Sequence, residues 1–236
     1  MIEIIKGKEP DCLKQLREQC KKEKLNPKES YDRLRGKDKD EVRDCLRREQ
    51  GCLCAYCMRR IPIDLKDRAP GSDSESIEHY IPLHLDNEAD LGQGLDYQNM
   101  FMVCNGNKTI HEKNTRRNKT KNTLTCDKSR GNKMFKKVNP LKRETLESIE
   151  YTLDGIIYST DPDVDFDLND LLNLNCEPCQ LKENRKKALD GLIEEINVQD
   201  DMIGFCKEVL KEYENESGEK TPFVGILIWY LKTMID

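Results

Sequence analysis

The chain is 236 residues long, 36% hydrophobic and 36% charged, with a formal net charge of -5 and 11 cysteines. That length suits one domain with embellishments or two small ones, and apolar residues recurring at helical spacing exclude a disordered chain. The longest apolar stretch, Phe223 to Leu231, is too short to span a bilayer, so no membrane partner is expected.

The first residues, Met1 to Lys8, contain no apolar core of signal-peptide length. The expectation is a cytoplasmic protein, in which paired cysteines serve as metal ligands rather than cross-links. Charge is spread unevenly. Residues 108–145 carry 13 Lys/Arg against 3 Asp/Glu, whereas residues 146–236 carry 8 against 21. The basic block suits a phosphate backbone, and the acidic last third should avoid one.

Three regions follow in chain order. Residues 1–51 read as a short strand at Ile2 to Lys6 followed by helices. Asn26-Pro27 places a capping residue before a proline at the first helical position. Asp40 to Gln50 puts Val42, Cys45 and Leu46 on one face, and Gly51 is a plausible stop.

Residues 52–140 lose helical periodicity and hold all three histidines. Loops are predicted around Arg68 to Ser76 and Asp86 to Gly94, and Met100-Phe-Met-Val103 reads as a short buried strand.

In residues 141–236, Tyr151 to Tyr158 has two apolar runs around Asp154-Gly155, a hairpin signal. Asp161 to Asp170 reads as an acidic turn region, followed by helices over Lys182–Asn197, Asp201–Tyr213 and Pro222–Ile235. Leu189, Leu192, Ile193 and Ile196 form one apolar stripe, and Ile203, Cys206, Val209 and Leu210 another. The fold class expected is α+β, mainly helical, with a small zinc-stapled module between N-terminal helices and a C-terminal hairpin plus helices.

Cys54 and Cys57 have the two-residue gap with which one turn presents two thiolates to a tetrahedral ion. Cys104 and Cys126 complete four ligands. A closed four-thiolate site suits structural Zn2+. Four buried free cysteines are the bland alternative, and Cys52 is a rival ligand. Cys176 and Cys179 form a second pair without a partner pair, which favours a core role.

Between the cage halves lies Ser76-Ile-Glu-His-Tyr-Ile-Pro82. Hydrolysing a phosphodiester needs an activated water, charge neutralisation on the phosphate and help for the leaving oxygen. His79 is the candidate general base. Glu78 is a hard oxygen ligand for catalytic Mg2+ or Mn2+, but adjacent strand residues face oppositely, so the turn into Tyr80-Ile81-Pro82 must bend to bring both to the ion.

Asp127 is the candidate second ligand. Asn99 would hold the loop after His79 or orient its imidazole, with Asn105, Asn107 and Asn132 as alternatives. The rival reading of His79 is a packed polar residue. His84 reads as a surface residue or phosphate contact, and His111 as solvated. In the basic block, Lys113, Arg116, Arg117, Lys119 and Lys121 alternate with small polar residues and lack aromatics, so they would bind phosphate rather than bases. A solvated loop or a partner contact is the alternative.

The order Cys-x-x-Cys, Glu-His-x-x-Pro, Asn, Cys and Cys-Asp-x-x-Arg-Gly over residues 52–133 resembles the HNH (His-Me finger) nucleases. That resemblance implies a ββα-metal core, with His79 as base, Asn99 as positioning residue and Asp127 as metal ligand. Asp127 departs from the His or Asn usual at its position, and the span from Cys104 to Cys126 is longer than is common.

More of the chain is similar to PtuB-like proteins, the HNH subunits of bacterial Septu and retron-associated anti-phage systems. The matching stretches include Asn99 to Cys104, Cys126 to Asn132 and Leu172 to Asn175. This likeness implies a PtuA-like ATPase partner, a nucleic-acid substrate and, in retron-associated members, a reverse transcriptase with its noncoding RNA or DNA. The rival functions are a non-catalytic zinc module that binds nucleic acid, and a stand-alone HNH toxin nuclease.

Overall fold

A computed structural model of the chain describes residues 1–61, 75–83, 93–108 and 123–235. Among these, eight α-helices and two two-stranded sheets make a mixed helix-and-sheet protein. None of the helices is long and apolar enough to cross a membrane.

The N-terminal residues 1–10 form no strand, contrary to expectation. Their isoleucines are split, with Ile4 buried and Ile5 exposed, and Ile4 N–H bonds Pro140 O (2.8 Å) instead of a sheet neighbour. Helices α1 (Asp11–Lys22), α2 (Pro27–Arg33) and α3 (Gly36–Glu49) follow. Asn26 caps α2 in a reciprocal box with Glu29, and α3 ends just before Gly51, which adopts a left-handed φ of 59°.

Strands β1 (Glu75–His79) and β2 (Met100–Cys104) pair antiparallel, with His79 opposite Met100 and Glu75 opposite Cys104. All of β2 is buried, as its unbroken apolar run demands. Gln50 fastens it to α3. Its amide donates to Met102 O and accepts from Met102 N–H, both at 2.8 Å. A buried Arg47–Glu75 ion pair fastens the start of β1 to the same helix.

A short helix α4 (Cys126–Arg130) comes next, then β3 (Ile149–Tyr151) and β4 (Ile157–Ser159), paired across the Asp154-Gly155 turn. The acidic stretch after β4 is helical rather than a turn: α5 (Pro162–Phe166) runs into a π-turn over Asp167–Leu171. Asp161 caps it, accepting from Asp163 and Val164 N–H. Asp167, fully buried, accepts from the N–H groups of Lys136, Lys137 and Val138. These carboxylates serve backbone donors, which is why charge alone suggested a loop.

Helices α6 (Leu181–Asn197), α7 (Met202–Asn215) and α8 (Val224–Ile235) complete the chain. Leu189, Leu192 and Ile196 bury the α6 stripe and Cys206 anchors α7. Ile203, expected on the buried stripe, is 41% exposed. One apolar cluster runs through all these parts, from Met1 to Leu231.

Candidate metal centre and active site

The segment 52–61 turns back on itself. Met58 N–H bonds Cys54 O (3.0 Å), Cys54 N–H bonds Arg59 O (2.9 Å) and Ile61 N–H bonds Cys52 O (2.8 Å). Met58 takes a left-handed φ of 58° to close the turn. This brings the Cys54 and Cys57 sulfurs to one side.

Cys104 ends β2, and Cys126 begins α4 at a φ of 55°. Cys126 N–H is held by Leu172 O (2.8 Å) and Thr125 N–H by Gly106 O (3.0 Å). At Gly106 a Cβ would stand 2.3 Å from Thr125 O, so glycine alone fits this crossing of the two cage loops.

All four sulfurs are buried and lie within 4.8 Å of one another. The separations Cys54–Cys126, Cys57–Cys104 and Cys104–Cys126 are 3.9, 3.8 and 3.8 Å. A disulfide would hold two sulfurs at about 2.05 Å. Four sulfurs about 2.3 Å from a central tetrahedral ion stand roughly 3.75 Å apart. The cluster therefore fits a metal such as zinc. Cys52 is buried outside this set, and Cys179 donates to Thr123 O (3.1 Å).

Beside the cage, β1 ends in the Glu-His pair. His79 is 7% exposed, its ring edge-on to Tyr31 at 4.6 Å and its Nε2 3.1 Å from Gly94 O. A carbonyl oxygen can only accept, so Nε2 carries the proton. Burial lowers the His79 pKa to about 4, against the pull of that hydrogen bond, so the ring is neutral at pH 7 and Nδ1 is the proton-accepting nitrogen. The approach of Gly94 to α2 explains its residue type: a Cβ there would lie 1.9 Å from Pro27 O.

Glu78 looks to other neighbours. Its carboxylate pairs with the buried Arg130 and receives the Tyr56 hydroxyl (3.4 Å). Arg130 also donates to His79 O (2.8 Å), Tyr80 O (2.9 Å) and Lys133 O (3.2 Å), gripping the strand end.

Asp127, one residue after the cage, lies near enough to Glu78 for the two charges to act on each other, and pairs with Lys128 at 2.7 Å. Burial first, then Asp127, pushes the Glu78 pKa well up, against the pull of Arg130. Burial would also raise Asp127, but the Glu78 carboxyl and Lys128 hold it below its usual value. The two carboxyls are thus pushed in opposite directions, Glu78 up and Asp127 down.

Asn99 clamps the exit from β1. Its Oδ1 accepts from Ile81 N–H (2.7 Å), its Nδ2 donates to Ile81 O (3.1 Å) and its backbone O accepts from Tyr80 N–H (2.9 Å). These contacts hold the loop after His79, and the Gly94 carbonyl holds the imidazole at Nε2. Among the alternatives, Asn105 and Asn107 turn the loop after Cys104, and Asn132 is exposed.

The structure therefore brings Glu78 and Asp127 together beside the cage. The adjacent His79 has a separate set of neighbours, although the Asp127 charge acts on it too. Lys113, Arg116, Arg117, Lys119, Lys121, His84 and His111 lie outside the described residues. Gly94, Tyr31 and Arg130 were not singled out from the sequence. Only Arg130 carried a signal, as part of Cys-Asp-x-x-Arg-Gly. No family model matches the chain, and no curated protein matches it.

Proposed function

We propose that this chain is a metal-dependent endonuclease of the HNH kind, with a structural zinc bound by Cys54, Cys57, Cys104 and Cys126. The observation that carries this reading is the junction of β1 with α4. There a carboxyl pair, Glu78 and Asp127, adjoins a histidine whose Nε2 proton is held by a backbone carbonyl.

In this reading His79 Nδ1 takes the proton of the attacking water, an effect typically worth about 10²–10⁴ in rate. A phosphate brought beside the ring would raise its pKa towards the working range. Glu78 and Asp127 would hold Mg2+ or Mn2+, which would supply charge neutralisation on the phosphate and help for the leaving oxygen. Asn99 and Arg130 keep the strand end in place, and the basic block from Lys113 to Lys121 supplies contacts to phosphate.

The likeness to PtuB-like subunits supports a place in a cytoplasmic anti-phage complex with a PtuA-like ATPase, acting on DNA or on a host RNA such as tRNA. In retron-associated systems a reverse transcriptase and its nucleic acid would join. The deep burial of His79 and the hold of Arg130 on Glu78 also suit the second reading, a zinc-bound module that binds nucleic acid without cutting it.

Incubating the purified chain with plasmid DNA and with total RNA, with and without the ATPase, separates the two. Cleavage that requires added Mg2+ or Mn2+ supports the nuclease. Binding without cleavage under every condition supports the module.

A further inference from the structure

Residues 128–143 carry seven Lys/Arg and no Asp/Glu. Four of these cations are already engaged. Lys128 pairs with Asp127 (2.7 Å), Arg130 with Glu78, Lys136 with Asp163 (3.4 Å) and Lys137 with Asp161. Lys133, Lys142 and Arg143 are exposed and have no carboxylate partner among the described residues. What singles out Lys133 is its place.

Arg130 fixes that place. Its Nη1 donates to Tyr80 O (2.9 Å) and to Lys133 O (3.2 Å), while its Nη2 donates to His79 O (2.8 Å) and to the Glu78 carboxylate. One guanidinium therefore separates the Lys133 backbone from the ends of the proposed base and the proposed metal carboxylate. The four-carbon stem of a lysine has a reach of that order.

The loop that carries Lys133 is held at both ends. Gly131, at a left-handed φ of 58°, bonds Asp127 O through its N–H (2.8 Å), and Phe135 stacks on Tyr80 at 5.2 Å. Between these anchors residues 131–134 are all exposed. Fixed ends lower the ordering cost of binding. The loop offers no aromatic face, because Phe135 is 8% exposed and lies against Tyr80. Single strands are gripped largely by base stacking on such faces, whereas a duplex presents its phosphates to cations and side-chain amides.

We propose that the 131–134 loop is a contact for the backbone of a nucleic-acid duplex beside Glu78 and His79. Lys133 neutralises one phosphate, and Asn132 donates its side-chain amide to a phosphate oxygen. This rests on the nucleic-acid reading shared by the nuclease and the binding module, and adds to it the residues and the duplex form of the ligand. DNA and RNA duplexes carry this phosphate chemistry alike.

The test is binding of the full chain, without Mg2+ or Mn2+, to fluorescein-labelled DNA duplex, RNA duplex and single-stranded DNA over a range of salt. Lys133→Met is compared with Lys133→Arg and with Lys187→Met, an exposed lysine of the acidic helix α6 that controls for net charge. Lys133→Met should bind duplexes about fivefold more weakly near 0.15 M salt, and its salt dependence should flatten by roughly one counterion. Lys133→Arg should stay close to wild type, and Lys187→Met should be unchanged. A loss on one duplex alone supports the contact and names that duplex as its ligand. Unchanged affinity in Lys133→Met, an equal loss in Lys187→Met, or a loss confined to the single strand would overturn the proposal. A wild-type chain that binds none of the three would overturn the nucleic-acid reading itself, and the proposal with it.

Discussion

Glu78 and Arg130 meet as a buried ion pair across 52 residues of sequence, and the same guanidinium binds the carbonyl of His79. One arginine thus controls the carboxylate of the proposed metal pair and the backbone of the proposed base.

Removing that arginine should be costly. Arg130→Met strands a buried carboxylate, and breaking a buried pair from one side typically costs about 3–5 kcal/mol. The double variant Glu78→Gln/Arg130→Met should recover part of this loss, which urea unfolding measures. Additive losses in the double variant would mean that the two side chains do not depend on each other.

Acid should weaken the fold through His79. Its pKa is about 4 in the folded chain against 6.5 unperturbed, so the unfolded chain binds the proton first. The His79 contribution is therefore complete above pH 6.5 and is lost as pH falls towards 4, a change on the order of 3 kcal/mol. Unfolding midpoints at pH 7 and pH 5 should differ more for the wild type than for His79→Gln. An equal difference would count against the buried neutral imidazole.

The zinc site is tested by elemental analysis of protein purified without added metal. One zinc per chain is expected, with Cys104→Ser and Cys126→Ser losing most of it. Structural sites of this kind bind with on the order of 10 kcal/mol, comparable to the stability of a whole domain. A strong chelator should therefore unfold the wild type at temperatures it otherwise survives. A metal-free chain with undiminished stability would contradict the cage.

Much of this was legible in the sequence because it rests on side-chain pattern. The two-residue cysteine gap, the unbroken apolar run of β2, the Asn26-Pro27 cap and the Asp154-Gly155 turn each carry a local signature. What the sequence hid depends on the backbone. The Gly94 carbonyl that sets the His79 tautomer has no residue-type signal beyond the glycine that lets it approach. Asp161 and Asp167 read as part of an acidic turn and are acceptors for backbone N–H groups around a helix. The Ile2 to Lys6 strand failed because a short apolar stretch cannot say whether a neighbouring strand exists.

The basic block carries a prediction of its own. If Arg116 and Arg117 contact phosphate, neutralising both should weaken nucleic-acid binding for every sequence. It should also flatten the salt dependence by roughly one counterion per lost contact. Unchanged affinity together with lost ATPase association would assign the segment to the partner instead.

The nuclease reading is tested most directly by comparing wild type and His79→Ala, both zinc-loaded, in Mg2+ or Mn2+ with plasmid DNA and total RNA, alone and with the ATPase. The expected result is cleavage by the wild type and a loss of about 10²-fold or more in the variant, with nucleic-acid binding retained. Equal cleavage by the two proteins would contradict His79 as the base, and no cleavage by a zinc-loaded, ATPase-bound wild type would contradict the nuclease.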